Sequence, residues 1–512
     1  MNKNIFRSVS LTVSLALLAA VPAAAQGTFH KFVTVGDSLI AGEESGCVVE
    51  RFQGRSWVRL AATSLLQDDY QQPLIQELAA TNPLTSYPCV GATFNGTSVV
   101  ISFVSMVGPN LNATLPRPYD NLGFNGSPTI ADFVDLTVTV PGSSDLDNIA
   151  AKVLRNFAGG PFYGMSAVDQ ANMLAPDLVA FWGGNNDALN AMGAGVAILG
   201  VTLTPVPAFA ASFDEVMAGL ATAGRTLVVF NVPDVSSIPY ATTIPPIAVN
   251  PATRLPVVID GHFVPLLGPG DAAFPCVAVA PDTGCPLPPG SLVTLPASSL
   301  LGQGIGVPRS LGGTGLPLPH GSFTPPATLD VGVVLYPDDV ALIREATDGY
   351  NGAIASAVST YGAIPIDANA LLKQLQAEGY EIGGIKLTTT YVTGGLFSYD
   401  GVHPSAIGYG VIADAFIRTL NAAAGTSYPR PNFSEILFTP NVPDLPAGSL
   451  VDGGPWNYSI GMWQSLLSSS LSPRGMQVAM PRAPRLAPQV PRTVPEAAGR
   501  PTRTVADRHL EE

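Results

Sequence analysis

Two four-residue strings decide what chemistry this chain can attempt: Gly36-Asp37-Ser38-Leu39 near the start and Asp400-Gly401-Val402-His403 far downstream. A serine hydroxyl is a weak nucleophile until a base takes its proton. An imidazole serves as that base when a third group fixes its tautomer. Ser38, His403 and Asp400 supply nucleophile, base and orienter, with the last two in one short turn. Acyl transfer also needs donors aimed at the oxyanion that develops on the attacked carbonyl. The candidates are the Ser38 backbone N–H, a glycine N–H in Asn121-Leu122-Gly123-Phe124-Asn125-Gly126-Ser127, and the side-chain amide of Asn186 in Gly183-Gly184-Asn185-Asn186-Asp187. Gly126 is the glycine assigned, with Gly123 as the alternative. Plainer readings stand beside these. Ser38 has the alternative of an ordinary helix N-cap, and Asn186 that of a cap for the helix after it. Asp37 reads as a turn former, Asp187 as a helix cap, and Glu43 and Glu44 as solvated loop charges. His30, His262, His320 and His509 fall in no matching block and read as surface or loop residues. Trp57 and Trp182 read as core, and Phe397 as core close to the Asp400 turn.

These residues must be carried by elements that the apolar periodicity outlines. Short apolar runs predict strands at 33–35, 119–122, 177–182, 225–232 and 364–366. Helical spacing predicts helices at 56–66, 210–223, 338–361 and 405–420. Strands alternating with helices imply an α/β fold with a central parallel sheet of about five strands and helices on both faces. Ser38 directly follows the first strand, at the sheet edge where such folds collect their ligands. Residues 67–118 read as irregular, with an apolar run at 99–107. Residues at about 235–330 break the alternation and read as a structured Pro/Gly-rich insertion, with a flexible linker as the alternative.

The chain has 512 residues with 52 Gly and 48 Pro, which favours many loops over long bundles. Its formal charge of -14 argues against nonspecific binding to nucleic acid or anionic membranes. Residues 1–25 read as a secretory signal: Lys3 and Arg7, then an apolar core, then Ala23-Ala24-Ala25 before Gln26. A secreted or periplasmic location follows, with no stable membrane span. Export predicts oxidised cysteines, and Cys47–Cys89 with Cys276–Cys285 is the favoured pairing among the three that four cysteines allow. A zinc site is the competing use of those residues, without a C-x-x-C spacing to support it. The catalytic domain is expected over 26–460, and 461–512 reads as a disordered Pro/Arg-rich tail.

Taken together, these blocks resemble the SGNH hydrolases, also called GDSL esterases and lipases, in their lipase-like bacterial branch. The four lettered residues of that family fall on Ser38, Gly126, Asn186 and His403. Trp182, Asn231-Val232-Pro233-Asp234 and Gly394-Gly395-Leu396-Phe397-Ser398 extend the likeness, which covers roughly 31–235 and 331–421. The resemblance implies a flavodoxin-like three-layer α/β/α fold and ester hydrolysis without cofactor or metal. It also implies an oxyanion hole made by the Ser38 and Gly126 N–H groups and the Asn186 amide. The substrate expected is a small-molecule or lipid ester, cleaved through an acyl-serine intermediate. A carbohydrate or cell-envelope O-acetyl esterase using the same residues, an acyltransferase, and a non-catalytic binding protein on a hydrolase scaffold are the competing readings.

Overall fold

The computed structural model describes residues 28–433 and 436, apart from 80–87, 95–98, 252, 271–273, 277, 279 and 326–327. The 1–25 signal, the 461–512 tail and His509 lie outside the described residues.

Five runs form the central sheet: β1 (Phe32–Gly36), β2 (Asn121–Gly123), β3 (Leu178–Trp182), β4 (Thr226–Phe230) and β5 (Ile364–Ile366). All pair in parallel, in the order 2-1-3-4-5. β1 and β3 are buried throughout because helices cover both faces of the sheet. Side chains alternate between two cores along each strand, as a period of two requires. Val33, Val35, Val179, Phe181, Leu227 and Val229 enter one core, closed by the helices Asp145–Leu154, Ala167–Met173, Val206–Leu220 and Pro337–Tyr361. Phe32, Leu178, Ala180, Trp182, Val228 and Phe230 enter the other, against the helices Trp57–Ser64 and Ala406–Ala424. Trp57 is fully buried there among Trp182, Phe230 and Phe416.

Several elements depart from the sequence reading. The second strand starts at Asn121, while Tyr119 is a buried residue ahead of it. The stretch 67–118 is not irregular: Ile75–Ala79, Val99–Asn110 and Pro88–Phe94 form an antiparallel sheet with the long strand in the middle. Register shifts interrupt both pairings, which blurs the alternation that would have revealed them. The apolar spacing does not mark the helices Asp145–Leu154, Ala167–Met173 and Ala368–Glu378, and it leaves the one at Asn186–Ala194, expected from its cap residues, without bounds. Three of them open on a side-chain cap, Ser144, Ser166 or Asp367, and Ser166 with Asp169 makes a reciprocal capping box.

Between Pro239 and Leu335 the chain runs through short helices and two- or three-residue strands. These bury Leu266, Leu287, Val293, Leu318 and Tyr336 in a cluster of their own. This segment is hydrogen-bonded to the turn that carries Asp400: the Tyr240 N–H donates to the Gly401 carbonyl at 2.8 Å, and the Leu295 N–H to the Tyr240 carbonyl at 2.9 Å. Cys47 is bonded to Cys89 and Cys276 to Cys285, with Cα separations of 5.1 and 6.0 Å. No helix among the described residues is long and apolar enough to cross a membrane.

Candidate active site

The switch point of a 2-1-3-4-5 sheet lies between β1 and β3, where the loops leaving neighbouring strands turn to opposite faces and leave a crevice. Ser38 follows β1 and Asn186 follows β3. The two strands approach so closely that a Cβ on Gly36 would overlap the Trp182 carbonyl. Asp37, not Ser38, caps the one-turn helix Ser38–Ala41: its Oδ1 accepts from the Leu39 N–H at 3.1 Å. Its Oδ2 accepts from Asn185 Nδ2 at 2.7 Å. Burial pushes the Asp37 carboxyl up to about 6 against the pull of the Asn185 and Leu39 hydrogen bonds. With the cap supplied by its neighbour, the Ser38 hydroxyl is released from backbone duty. Its Oγ lies 2.9 Å from His403 Nε2.

His403 Nδ1 lies 2.8 Å from Asp400 Oδ2, and His403 is 9% exposed. The turn that brings them together is built by Asp400 itself, whose Oδ1 accepts from the Val402 and His403 N–H groups, both at 2.8 Å. Gly401 stands between them at φ +71, packed so tightly that a Cβ would press on Leu295 and Tyr240. Two further donors come from outside the turn. Ser398 Oγ donates to Asp400 Oδ1 at 3.1 Å, and the Gly46 N–H to Oδ2 at 2.8 Å. Burial works against ionisation of Asp400, but the His403 charge and the hydrogen bonds from the His403 ring and the His403 and Val402 N–H groups outweigh it and hold the carboxyl below its ordinary value.

Gly46 belongs to a tight turn in which Ser45 and Gly46 both take positive φ while Glu44 and Cys47 exchange backbone hydrogen bonds. The turn delivers two N–H groups to the Asp400 side of the site, since the Ser45 N–H donates to Ser398 Oγ at 2.9 Å. It also overturns the reading of Glu43 and Glu44 as solvated charges: they are 7% and 0% exposed. Gly42, at φ +78, ends the Ser38–Ala41 helix and folds the chain inward. The Glu43 N–H then bonds the Ser38 carbonyl at 3.0 Å, and Glu43 Oε2 arrives 3.6 Å from His403 Nε2. Burial raises Glu43 above the ordinary carboxylate range, with His403 and a hydrogen bond to Asn125 opposing. For His403, burial alone would disfavour the imidazolium. The Glu43 and Asp400 carboxylates reverse this and carry it up to about 9.

The glycine pair in the β2 turn divides its duties. The Gly123 N–H is taken by Asn121 Oδ1 at 2.9 Å, and a Cβ there would overlap the Ala41 nitrogen. Gly123 is therefore a packing glycine. Gly126 sits at φ +88 beside the Asp145–Leu154 helix, where a Cβ would press on Leu146 and Ile149 at 3.1 and 3.2 Å. Asn186 Nδ2 donates to the Pro128 carbonyl at 3.0 Å, which ties that amide to the Gly126 loop. Asp187 does not cap either: it accepts from the Ile130 N–H at 2.9 Å and Thr204 Oγ1 at 2.6 Å. Burial raises it to about 7 in spite of those bonds. Beside the loop lies an apolar cleft lined by Ala41, Val48, Ile75, Phe124, Ile149 and Val153.

Of the remaining histidines, His30 is exposed and paired with Asp177, and His262 is exposed on a two-residue strand. His320 lies in a loop as expected, partly buried, 2.9 Å from Asp339 and packed on the Tyr336 ring. Among the described residues no group of three or more His, Cys, Asp or Glu is arranged to hold a metal ion. A family model described as GDSL-like Lipase/Acylhydrolase matches residues 32–416, well over half of the chain. No curated protein and no solved structure gives a significant match.

Proposed function

The chain belongs to the GDSL-like lipase/acylhydrolase family and is an ester-bond hydrolase, and we propose that it works as an exported serine esterase with Ser38, His403 and Asp400 as its triad. The observation that supports this reading is the unbroken hydrogen-bonded run from Ser38 Oγ to His403 Nε2 and from Nδ1 to Asp400 Oδ2, at 2.9 and 2.8 Å. His403 takes the Ser38 proton as Oγ attacks the acyl carbon. It then returns that proton to the leaving alcohol, and water repeats the sequence on the acyl-serine. Asp400 holds the tautomer that leaves Nε2 facing the serine. The Ser38 and Gly126 N–H groups and the Asn186 amide receive the oxyanion.

The substrate that suits the surroundings is a neutral ester whose acyl group faces the apolar residues Ile75, Phe124 and Ile149 beside the Gly126 loop. Export is part of the same proposal: cleavage after Ala25 would deliver the two disulfides to an oxidising compartment. The deciding experiment compares wild type with Ser38→Ala on nitrophenyl esters from acetate to palmitate, beside labelling by a fluorophosphonate. Wild type should label at Ser38, and the variant should lose both label and turnover, by roughly 10⁴-fold or more. Turnover kept by a folded Ser38→Ala protein would sink the assignment.

A further inference from the structure

Glu43 is a second buried carboxylate at His403, on the side of the ring that faces the nucleophile. Asp400 engages Nδ1; Glu43 Oε2 stands 3.6 Å from Nε2, the atom that also faces Ser38 Oγ. A separation of 3.6 Å is too long for a direct hydrogen bond of strength. It is short enough for one water to bond both atoms, which is the arrangement to look for across such a gap. The carboxylate is fixed by its surroundings. The Asn125 side chain hydrogen-bonds it, and its backbone is held by the Ser38 carbonyl and by the Tyr409 hydroxyl. The charged and titratable groups around it are His403, Asp400, Asp37, Glu44 and Tyr409.

Resting on the triad reading above, we propose that Glu43 positions the water that hydrolyses the acyl-Ser38 ester. Once Oγ is esterified, the proton acceptor at Nε2 is open to a second nucleophile. Water bonded to both Nε2 and Glu43 Oε2 is held with one O–H toward each. Its oxygen attacks the acyl carbon, one proton passes to Nε2, and the other O–H stays on the product while bonded to Glu43. The tetrahedral species then collapses: the C–Oγ bond breaks, Oγ recovers the proton from Nε2, and the carboxylic acid leaves. Glu43 gains and loses no proton. The first half-reaction brings its own hydroxyl, already bonded to His403, so the acylation step does not need Glu43.

The test is rapid-mixing kinetics of Glu43→Gln and Glu43→Asp with nitrophenyl butyrate, with intact-protein mass spectrometry of the quenched enzyme. Glu43→Gln keeps the size but loses the charge and one of the two acceptor oxygens, so an oxygen that accepts from Asn125 leaves an NH2 toward the water. The substitution should lower the ratio of deacylation to acylation rate by roughly 10- to 100-fold, a ratio in which the gain in neutral His403 from losing the Glu43 charge cancels because both steps use the same base. The signatures are a burst of nitrophenol, a butyryl adduct on Ser38, and kcat and KM falling together. Glu43→Asp, which keeps the charge, should recover part of the deacylation rate. Equal slowing of both half-reactions, no adduct, or wild-type kinetics in a folded Glu43→Gln enzyme would overturn the proposal and leave the triad standing. Activity in Ser38→Ala would instead remove the triad reading itself.

Discussion

Three carboxylates, Asp37, Glu43 and Asp400, surround the one imidazole at the site, and their sum dominates how it titrates. Burial favours neutral His403, yet the carboxylates carry it from 6.5 up to about 9. Two effects of opposite sign follow. As a base, His403 acts only when neutral, so kcat/KM should rise between about pH 7 and 9 and level off above. For stability, the folded state holds a proton more tightly than the unfolded chain. The contribution is full below pH 6.5 and is lost as pH rises through about 9. A pH series of kcat/KM beside a pH series of Tm checks both. A flat rate profile across that window would show that the imidazole is not raised in the working enzyme.

At the scale of elements, the Gly126 loop is held in place by the start of the Asn186–Ala194 helix. Asn186 bonds Pro128 and Asp187 bonds Ile130, so two successive residues after β3 carry the loop after β2. Asp187 reaches about 7 from 3.8, which means that the folded state prefers it protonated. Stability should therefore fall as pH rises from about 4 to 7, because the unfolded chain releases this proton earlier. Asp187→Asn keeps one acceptor oxygen for the Ile130 N–H and turns its NH2 toward the Thr204 hydroxyl, which can accept, and it should flatten that fall, by on the order of a few kcal/mol at neutral pH. Urea unfolding at pH 5 and pH 8 measures it; an equal slope in the two proteins would refute the account. Much of the sheet was legible in the sequence because its strands are short apolar runs ending in glycine-bearing turns, as at Val35-Gly36 and Trp182-Gly183. The meeting of Ser38 with His403 was legible for the same reason, since both lie in compact local motifs. Glu43 was not. Its burial depends on Gly42 turning the chain and on Tyr409, 366 residues away, closing over it. The sheet of 75–110 escaped because main-chain pairing between bulged strands leaves little periodicity to read.

Across the whole molecule, the Cys47–Cys89 bond joins the outlying antiparallel sheet to the turn that donates Gly46 N–H to Asp400. With the two cysteines 42 positions apart, the cross-link is worth about 4 kcal/mol in the loop-entropy model. Replacing both cysteines by Ser should cost stability of that order. It should also lower kcat in the protein that remains folded, because Asp400 loses a fixed donor. Unfolding curves and single-temperature rates separate the two, and an unchanged kcat would show that the turn keeps its shape without the bond.

The segment between Pro239 and Leu335 meets the Asp400–His403 turn through Tyr240 and Leu295 against Gly401. Anyone wishing to exchange this segment for that of a related enzyme therefore has a seam to respect. The exposed hairpin Val258–Phe263 is the portion open to replacement, whereas Ala248, Leu266 and Leu287 are held in the segment's own core. A splice that cuts inside either anchor would remove the wall against which the histidine turn is moulded.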